Sequence, residues 1–493
     1  MSSLELNTNA TSCNSSTLDP YVPGSSNPWN KAKVKHCYRR LGYGTDDITL
    51  NNGVNISPGA LIDQIVDSAA NAPLREDPVW GYYRLVDFND YNTENPEFIN
   101  DFRIETGNLM VNDGLKGRMI FFWLNHFVTE LDTYNYSPYL FQYYRTAEQH
   151  VLGNFKDLVH DMGLTPAMLF YLNGFQNTNT EPNENYAREL FELFTLGEGN
   201  GYTQEDIIET SKALTGWNLS PQAGGQIIFN TNTFFNGDKT IFGQTGNWNY
   251  HDVIDILFQE RGELIAQHIC RKLYRYFVSP EIDLMIEANI ITPMAQTMLD
   301  NNFDLVPVLK QLFKSEHFFD EKTLGVIIKS PFDLIFQFVN ESRFLFNDDL
   351  MEAFIYYAAI LGQIMFNPPD VAGWQGDQDW IGTSTITGRW ALFRAYLNLL
   401  FDSGQEERFR ALAIDLSNDS NDPAYITQVI VDHFHARELF TSTDYDVATE
   451  VFKWEIPQNY YDDRLWNLSW AEAPYQVFLL LNHMATWPEF QLK

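Results

Sequence analysis

At 493 residues, with 44% hydrophobic and 15% aromatic side chains, the chain holds ample material for a large core, in one body or in two to three domains. Its 65 acidic residues against 32 Lys and Arg give a net charge of −33, which disfavours binding to nucleic-acid phosphates and to anionic membrane surfaces. Cys13, Cys37 and Cys270 show neither metal-ligand spacing nor the even number of a disulfide framework, and no stretch is long and apolar enough to span a bilayer.

Residues 1–27, rich in Ser, Asn, Thr and Pro, read as an irregular arm without a basic-then-apolar secretory leader. A cytoplasmic location is the default expectation; an envelope or extracellular one stays open if this is a mature form or follows a non-classical route. From residue 28 to 493 the periodicity predicts one large helical body, with an allowed subdivision into 28–218 and 250–493 joined by a loop over 219–249. The first helix, Pro28 to Leu41, has Asn27 placed to cap it and carries Lys31, Lys33, Lys35, Arg39 and Arg40 beside an apolar face, with Arg39 and Arg40 favoured as internal partners for acidic residues over an anion-binding use. Short helices follow over Ser57–Ser68 and Asn95–Ile104, then a strongly apolar one over Gly117–Phe127 that contains Asn125 and His126. Tyr144 to Leu172 reads as one or two helices, with Thr165 and Pro166 marking a start.

The densest stretch is Pro182 to Gly197. Asn183 and Asn185 offer helix-entry acceptors and Gly197 an exit, while Tyr186, Leu190, Leu193 and Phe194 share one face. Charges on so apolar a helix must be paired, solvated in a cleft or bound to something. Glu189 and Glu192 lie on neighbouring lines of the helix, and Glu184 stands at its entrance. The three carboxylates suit a hard divalent cation or a division of acid and base work. The favoured reading is structural: Arg188 pairs with Glu184 and Glu192, each four residues away.

Further along, Thr203 to Asp206 signals a capped helix closed by Gly216, and Ser220 to Thr233 forms a small hairpin or an open loop. A long helix over Val253–Phe277 carries Arg271, Lys272 and Arg275. Helices over Met285–Asn301 and Leu305–Phe313 precede another that Ser330-Pro331 opens. Pro368, Pro369, Gly373 and Gly376 fix a non-helical loop around Trp374, with Trp380 nearby. Flat aromatic faces beside Gln and Asp side chains have the composition of a sugar-binding surface; the competing and favoured use is a buried Trp plugging the helical body. His433 and His435 are two apart and therefore point to different faces, which disfavours a metal pair.

Several blocks together carry a resemblance. Asn183-Glu184-Asn185-Tyr186-Ala187-Arg188-Glu189-Leu190, Glu192 to Gly197, and Ala213-Leu214-Thr215-Gly216-Trp217 are similar to the bacterial "domain of unknown function 1800" family. So are Phe122-Trp123-Leu124-Asn125-His126-Phe127, Gly362-Gln363 with Pro368 to Trp374, and the Trp487 to Leu492 terminus. The resemblance implies a mostly helical fold and a frequent bacterial context beside a sulfatase-like family, with no settled activity. Two departures matter. Leu124 stands where the family often has His, and Phe234-Phe235 stand where it commonly has His-Asp ahead of Gly237, Lys239 and Thr240.

The fold expected is therefore mainly α, a large orthogonal multi-helix assembly with long ordered loops rich in Gly, Pro and Trp. The leading functional reading is a non-catalytic or weakly catalytic binder of an envelope or extracellular polymer, polysaccharide above all, or of a second protein. Trp374, Trp380 and Trp248 would serve as its contact surface, with Lys239 and Arg188 as charged contacts. Its rival is a metal-assisted or carboxylate-based hydrolase centred on Glu184, Glu189 and Glu192 with His126 as proton carrier. A third reading is a structural or assembly component that uses the Lys31–Arg40 region as a contact. Substrate and oligomeric state are not specified by the sequence.

Overall fold

The computed structural model describes residues 17–220, 226–439 and 441–493. Cys13, most of the expected N-terminal arm and residues 221–225 of the stretch expected as a small hairpin or an open loop lie outside the described residues. Helices dominate, and the only sheets among the described residues are two antiparallel hairpins, Trp217–Ser220 with Gln226–Phe229 and Lys239–Ile241 with Gln244–Gly246. One continuous set of buried apolar side chains runs from Tyr21 to Phe490.

The described end of the arm is not loose. Tyr21 donates its backbone N–H to Lys314 O at 2.8 Å, and its ring packs 4.7 Å from that of Phe319. The first helix is Lys31–Leu41, starting three residues later than the Pro28 signal suggests. Its cap is Asn30, whose side chain accepts from Lys33 N at 3.1 Å, whereas Asn27 is engaged through its backbone in a tight turn with Gly24. Both Asn residues are competent caps, and the tertiary position of the turn decides between them.

That helix corrects one expectation. Its basic residues do not form a contact patch, because Lys33, Lys35, Arg39 and Arg40 are all buried. Lys33 Nζ donates to Phe319 O at 2.8 Å and Arg40 Nη2 to Thr323 O at 2.6 Å. Lys35 Nζ donates to Asp432 O at 2.5 Å and His435 O at 2.6 Å, which places a cation on the free carbonyls at the end of the Pro423–Phe434 helix. Arg39 meets Glu341 through two bonds of 2.6 and 2.8 Å in the interior.

Four elements frame the centre. The Leu115–His126 helix is buried on nearly its whole circumference and packs on Pro58–Ala70, Tyr91–Asn112 and Ser137–Gln149. The 28-residue Tyr250–Phe277 helix crosses the molecule against Phe155–Met162 and Thr292–Asp300. Ser330 and Asp333 cap the Pro331–Ser342 helix reciprocally, each backbone N–H reaching the other's side chain at 3.1 Å. Finally, Gly362 to Gly382 is an ordered loop that returns over the other three before the Thr383–Leu400 helix. Beyond it, Glu406–Ser417, Pro423–Phe434, Ser442–Phe452 and Ala473–Met484 pack together as a terminal helical group.

Pro182 to Gly197 forms the predicted helix with one departure. Asn185–Glu189 is α-helical, but Leu190–Thr195 widens into a π turn. Leu196 N and Gly197 N both donate to Phe191 O, and Gly197 takes φ +94°, the left-handed exit expected of it. The wider turn leaves the carbonyls of Leu193 and Phe194 free of partners within the helix.

Candidate functional site

The freed carbonyls place the histidines. His126 donates from Nε2 to Phe194 O at 3.0 Å, and His268 reaches Leu193 O with its Nε2 at 3.4 Å. Both rings thus cap the end of the helix that follows Glu184. Burial first, then the positive charge of Lys272, holds His126 well below the ordinary histidine range, and His268 is pushed down to about 3 for the same reasons. A neutral His126 that donates from Nε2 presents a bare acceptor at Nδ1. That atom is buried and has no partner among the described residues.

His126 lines a cleft of about 350 Å³. Phe121, Phe122 and Asn125 come from the same helix, and Lys272, Arg275 and Tyr276 from the long one. Ser330 and Asp333 come from the capped helix, and Gln363, Trp374, Gln375, Asp377 and Trp380 from the returning loop. The volume lies in the lower part of the range for small-ligand sites, roughly 300–1,000 Å³.

The loop is locked onto the helix by one side chain. Asn125 Oδ1 accepts from Trp374 N at 2.8 Å, and Asn125 Nδ2 donates to Trp374 O at 3.0 Å. Gly373, with φ +78°, makes the approach possible; a Cβ there would lie 2.5 Å from Asn125 Oδ1 and 2.7 Å from Asn125 O. The Trp374 ring stacks on Phe121 with centroids 5.6 Å apart and planes at 13°, and its Nε1 donates to Gly362 O at 3.2 Å. Gln363 accepts from Phe332 N at 3.0 Å, tying the start of the loop to the capped helix.

Beneath the aromatic wall lies an ionic floor. Asp333 Oδ1 takes Arg118 Nη2 and Asp333 Oδ2 takes Lys493 Nζ, both at 2.5 Å and both buried. Burial alone would raise the Asp333 carboxyl, but the two cations hold it well below the usual carboxylate range. Arg118 also donates from Nε to Gly42 O at 2.7 Å and lies over the Tyr43 ring at 4.2 Å.

The carboxylates singled out in the sequence sit elsewhere. Arg188 lies between Glu184 at 3.0 Å and Glu192 at 3.3 Å, all partly exposed, and Gln204 bonds both Arg188 and Glu184. Glu189 stands outside this arrangement, its carboxyl raised by burial and by Glu192. Among the described residues, no hydrogen bond or ion pair joins His126 to any of the three, and no group of three or more His, Cys, Asp or Glu is placed to hold a metal ion. Lys239 is buried in the second hairpin, donating to Asn247 Oδ1 and Trp248 O at 2.8 Å each. The Phe234 and Phe235 rings stand 4.6 and 5.5 Å from its ammonium, so aromatic faces attend this cation. Trp248 packs on that hairpin, away from the cleft, while Trp374 is half-buried and Trp380 buried within it. The three tryptophans therefore form no exposed row.

Lys272 and Arg275 are the residues that sequence reading did not place in a site. Their signal was present: on the long helix neither has an acidic residue three or four positions away, in a chain with two acids for every base.

Residues 36–492, nearly the whole chain, match the family described as "Protein of unknown function (DUF1800)". No curated protein and no solved structure matches the chain.

Proposed function

With the chain placed as a member of that family, we propose that it binds a saccharide unit of an envelope or extracellular polymer in the cleft under Trp374. The observation that carries this reading is the fixed aromatic wall. Trp374 is held by Asn125 at its backbone, by Phe121 on one ring face and by Gly362 at its indole N–H, so it is preorganised beside the cleft. Planar polar groups, Gln375 and Gln363, share the lining with it, and an indole face beside amides suits the apolar faces and hydroxyls of a pyranose.

Binding without hydrolysis is the reading that the carboxylates support. Both oxygens of Asp333 are engaged by cations, and Asp377 accepts from Ile328 N at 3.2 Å. Glycoside hydrolysis ordinarily needs one carboxyl raised to act as acid and a second free to act as base or nucleophile. Asp333 is moved in the opposite direction.

The test is a carbohydrate microarray probed with the full chain and with Trp374→Ala, followed by tryptophan-emission titration of each hit. Retention of a defined set of glycans that Trp374→Ala loses supports the reading. Equal retention by both proteins, or no retention by either, overturns it.

A further inference from the structure

We infer that the unit taken by the cleft is anionic, a sugar bearing a carboxylate or sulfate ester, with its oxyanion held by Lys272 and Arg275 and a neighbouring hydroxyl donating to His126 Nδ1. This inference rests on the saccharide reading above and adds the charge class of the ligand.

The charges around the cleft do not balance. Arg118, Lys272, Arg275 and Lys493 line it, against Asp333 and Asp377. Asp333 is already bonded to Arg118 and Lys493. Lys272 and Arg275 have no acidic partner or hydrogen bond among the described residues, although Arg271 beside them is paired with Glu287 at 2.5 Å. The floor behind the cleft leans the same way. Arg39, Arg40, Lys329 and Arg389 are all buried, with Glu341 as the further acid among them, and Arg40 Nε and Nη1 and Arg389 Nε have no partner among the described residues. A chain carrying −33 overall thus keeps a local excess of cations along one inner cleft. Lys272 is half-buried without a counter-ion among the described residues, and Arg275 stands exposed at the rim one turn along. The half-buried, unpaired ammonium is costly, and a bound oxyanion offsets that cost through charge-assisted hydrogen bonds.

His126 sets a second condition. Among the described residues its Nδ1 is a buried acceptor with no hydrogen-bond partner, one that a ligand donor such as a hydroxyl would complete. The cleft therefore offers donors for an oxyanion on one helix and, within the wall that another helix forms, a buried unpartnered acceptor, beside an aromatic face. That combination fits an acidic sugar better than a free inorganic anion, which brings no such donor, or a neutral sugar, which leaves the cations unpaired.

Lys272 gives the site a pH signature. Burial first and then Arg275 pull it down to about 8. The other charged or titratable groups around it are His268 and Arg271 on its own helix, His126 on the facing helix, the Arg118–Asp333–Lys493 cluster across the cleft, and Asp377 on the loop. None of these supplies a free negative charge to Lys272. The protonated amine is the binding form, so affinity is present below about pH 8 and declines above it.

The probes are tetragalacturonate, its neutral methyl ester, a sulfated galactan oligomer and inorganic sulfate, titrated by calorimetry into the full chain. Tight binding of either acidic oligomer with weak binding of the methyl ester and of sulfate alone is expected. Lys272→Gln and Arg275→Gln should each lose about ten- to a hundredfold in affinity, as for other hydrogen bonds to charged groups. Lys272→Arg should retain affinity and abolish the fall above pH 8. If the methyl ester binds as well as the acid and Lys272→Gln has no effect, this inference fails and the saccharide reading stands. If no oligomer binds, or binding survives both Trp374→Ala and Lys272→Gln, both fail. Binding of sulfate as tightly as of the oligomers overturns the inference too.

Discussion

Gly373→Ala perturbs the joint on which the cleft depends. A non-glycine residue at φ +78° costs about 1–3 kcal/mol in backbone strain. The added Cβ would lie 2.5 Å from Asn125 Oδ1 and 2.7 Å from Asn125 O. The amide side chain can swing away from the methyl, but the carbonyl belongs to the end of a buried helix and cannot. Swinging the amide loses both bonds to Trp374, at about 0.5–1.5 kcal/mol each. Together these terms give a destabilisation of about 2–6 kcal/mol. Urea denaturation followed by tryptophan emission measures it, with Asn125→Ala as companion. Each single variant should be destabilised, and the double variant by less than the sum, because the two positions share one contact. A Gly373→Ala protein within about 0.5 kcal/mol of wild type would refute the reasoning, since that is the range of substitutions that disturb nothing.

Asp333→Asn should cost about 3–5 kcal/mol, because it leaves Arg118 and Lys493 buried around a neutral amide; the midpoint of urea denaturation reads it directly. Arg188→Ala, at a partly exposed pair of carboxylates, should cost only about 0.2–1 kcal/mol, and a loss several times larger would give that cluster a further role. Burial lowers Lys35 to about 7 and both Lys239 and Lys272 to about 8, so the unfolded chain binds more protons than the folded one from those values up to the ordinary lysine value near 10.4. Thermal stability in buffered salt should therefore be higher at pH 9 than at pH 7, and a flat or falling profile would contradict these burials. Asp333 acts at the other end of the scale. Its depressed carboxyl contributes stability that is fully present above about pH 4, the unfolded value, and fades as pH falls below it, a fade that Asp333→Asn should remove.

Much of the fold was legible because its signals are local. The Thr203–Asp206 cap, the helix start at Ser330-Pro331 and the Gly197 exit depend on residues within a turn of one another, and each appears where expected, whereas the short helix expected over Asn95–Ile104 runs from Tyr91 to Asn112. The Arg188 pairing with Glu184 and Glu192 is likewise an i, i+4 matter. What stayed hidden was long-range. Both the Asn125-His126 block and the Gly373-Trp374 loop stood out in the sequence, but nothing in the 249-residue separation of Asn125 and Trp374 says that one clasps the other. An internal acid for Arg39 is expected and is found at Glu341, but which distant elements supply that acid, and the carbonyls that take Lys33 and Lys35, is not written in the helix. Lys272 and Arg275 were visible as a basic cluster, yet their lack of partners is a property of the assembled cleft.

The most direct test of the account is a crystal structure of the full chain with the tightest-binding oligosaccharide. The account predicts a sugar ring against Trp374, its acidic group within about 3 Å of Lys272 Nζ and the Arg275 guanidinium, and a hydroxyl on His126 Nδ1. Sugar density elsewhere on the molecule, with the Trp374 cleft holding only water, would contradict it.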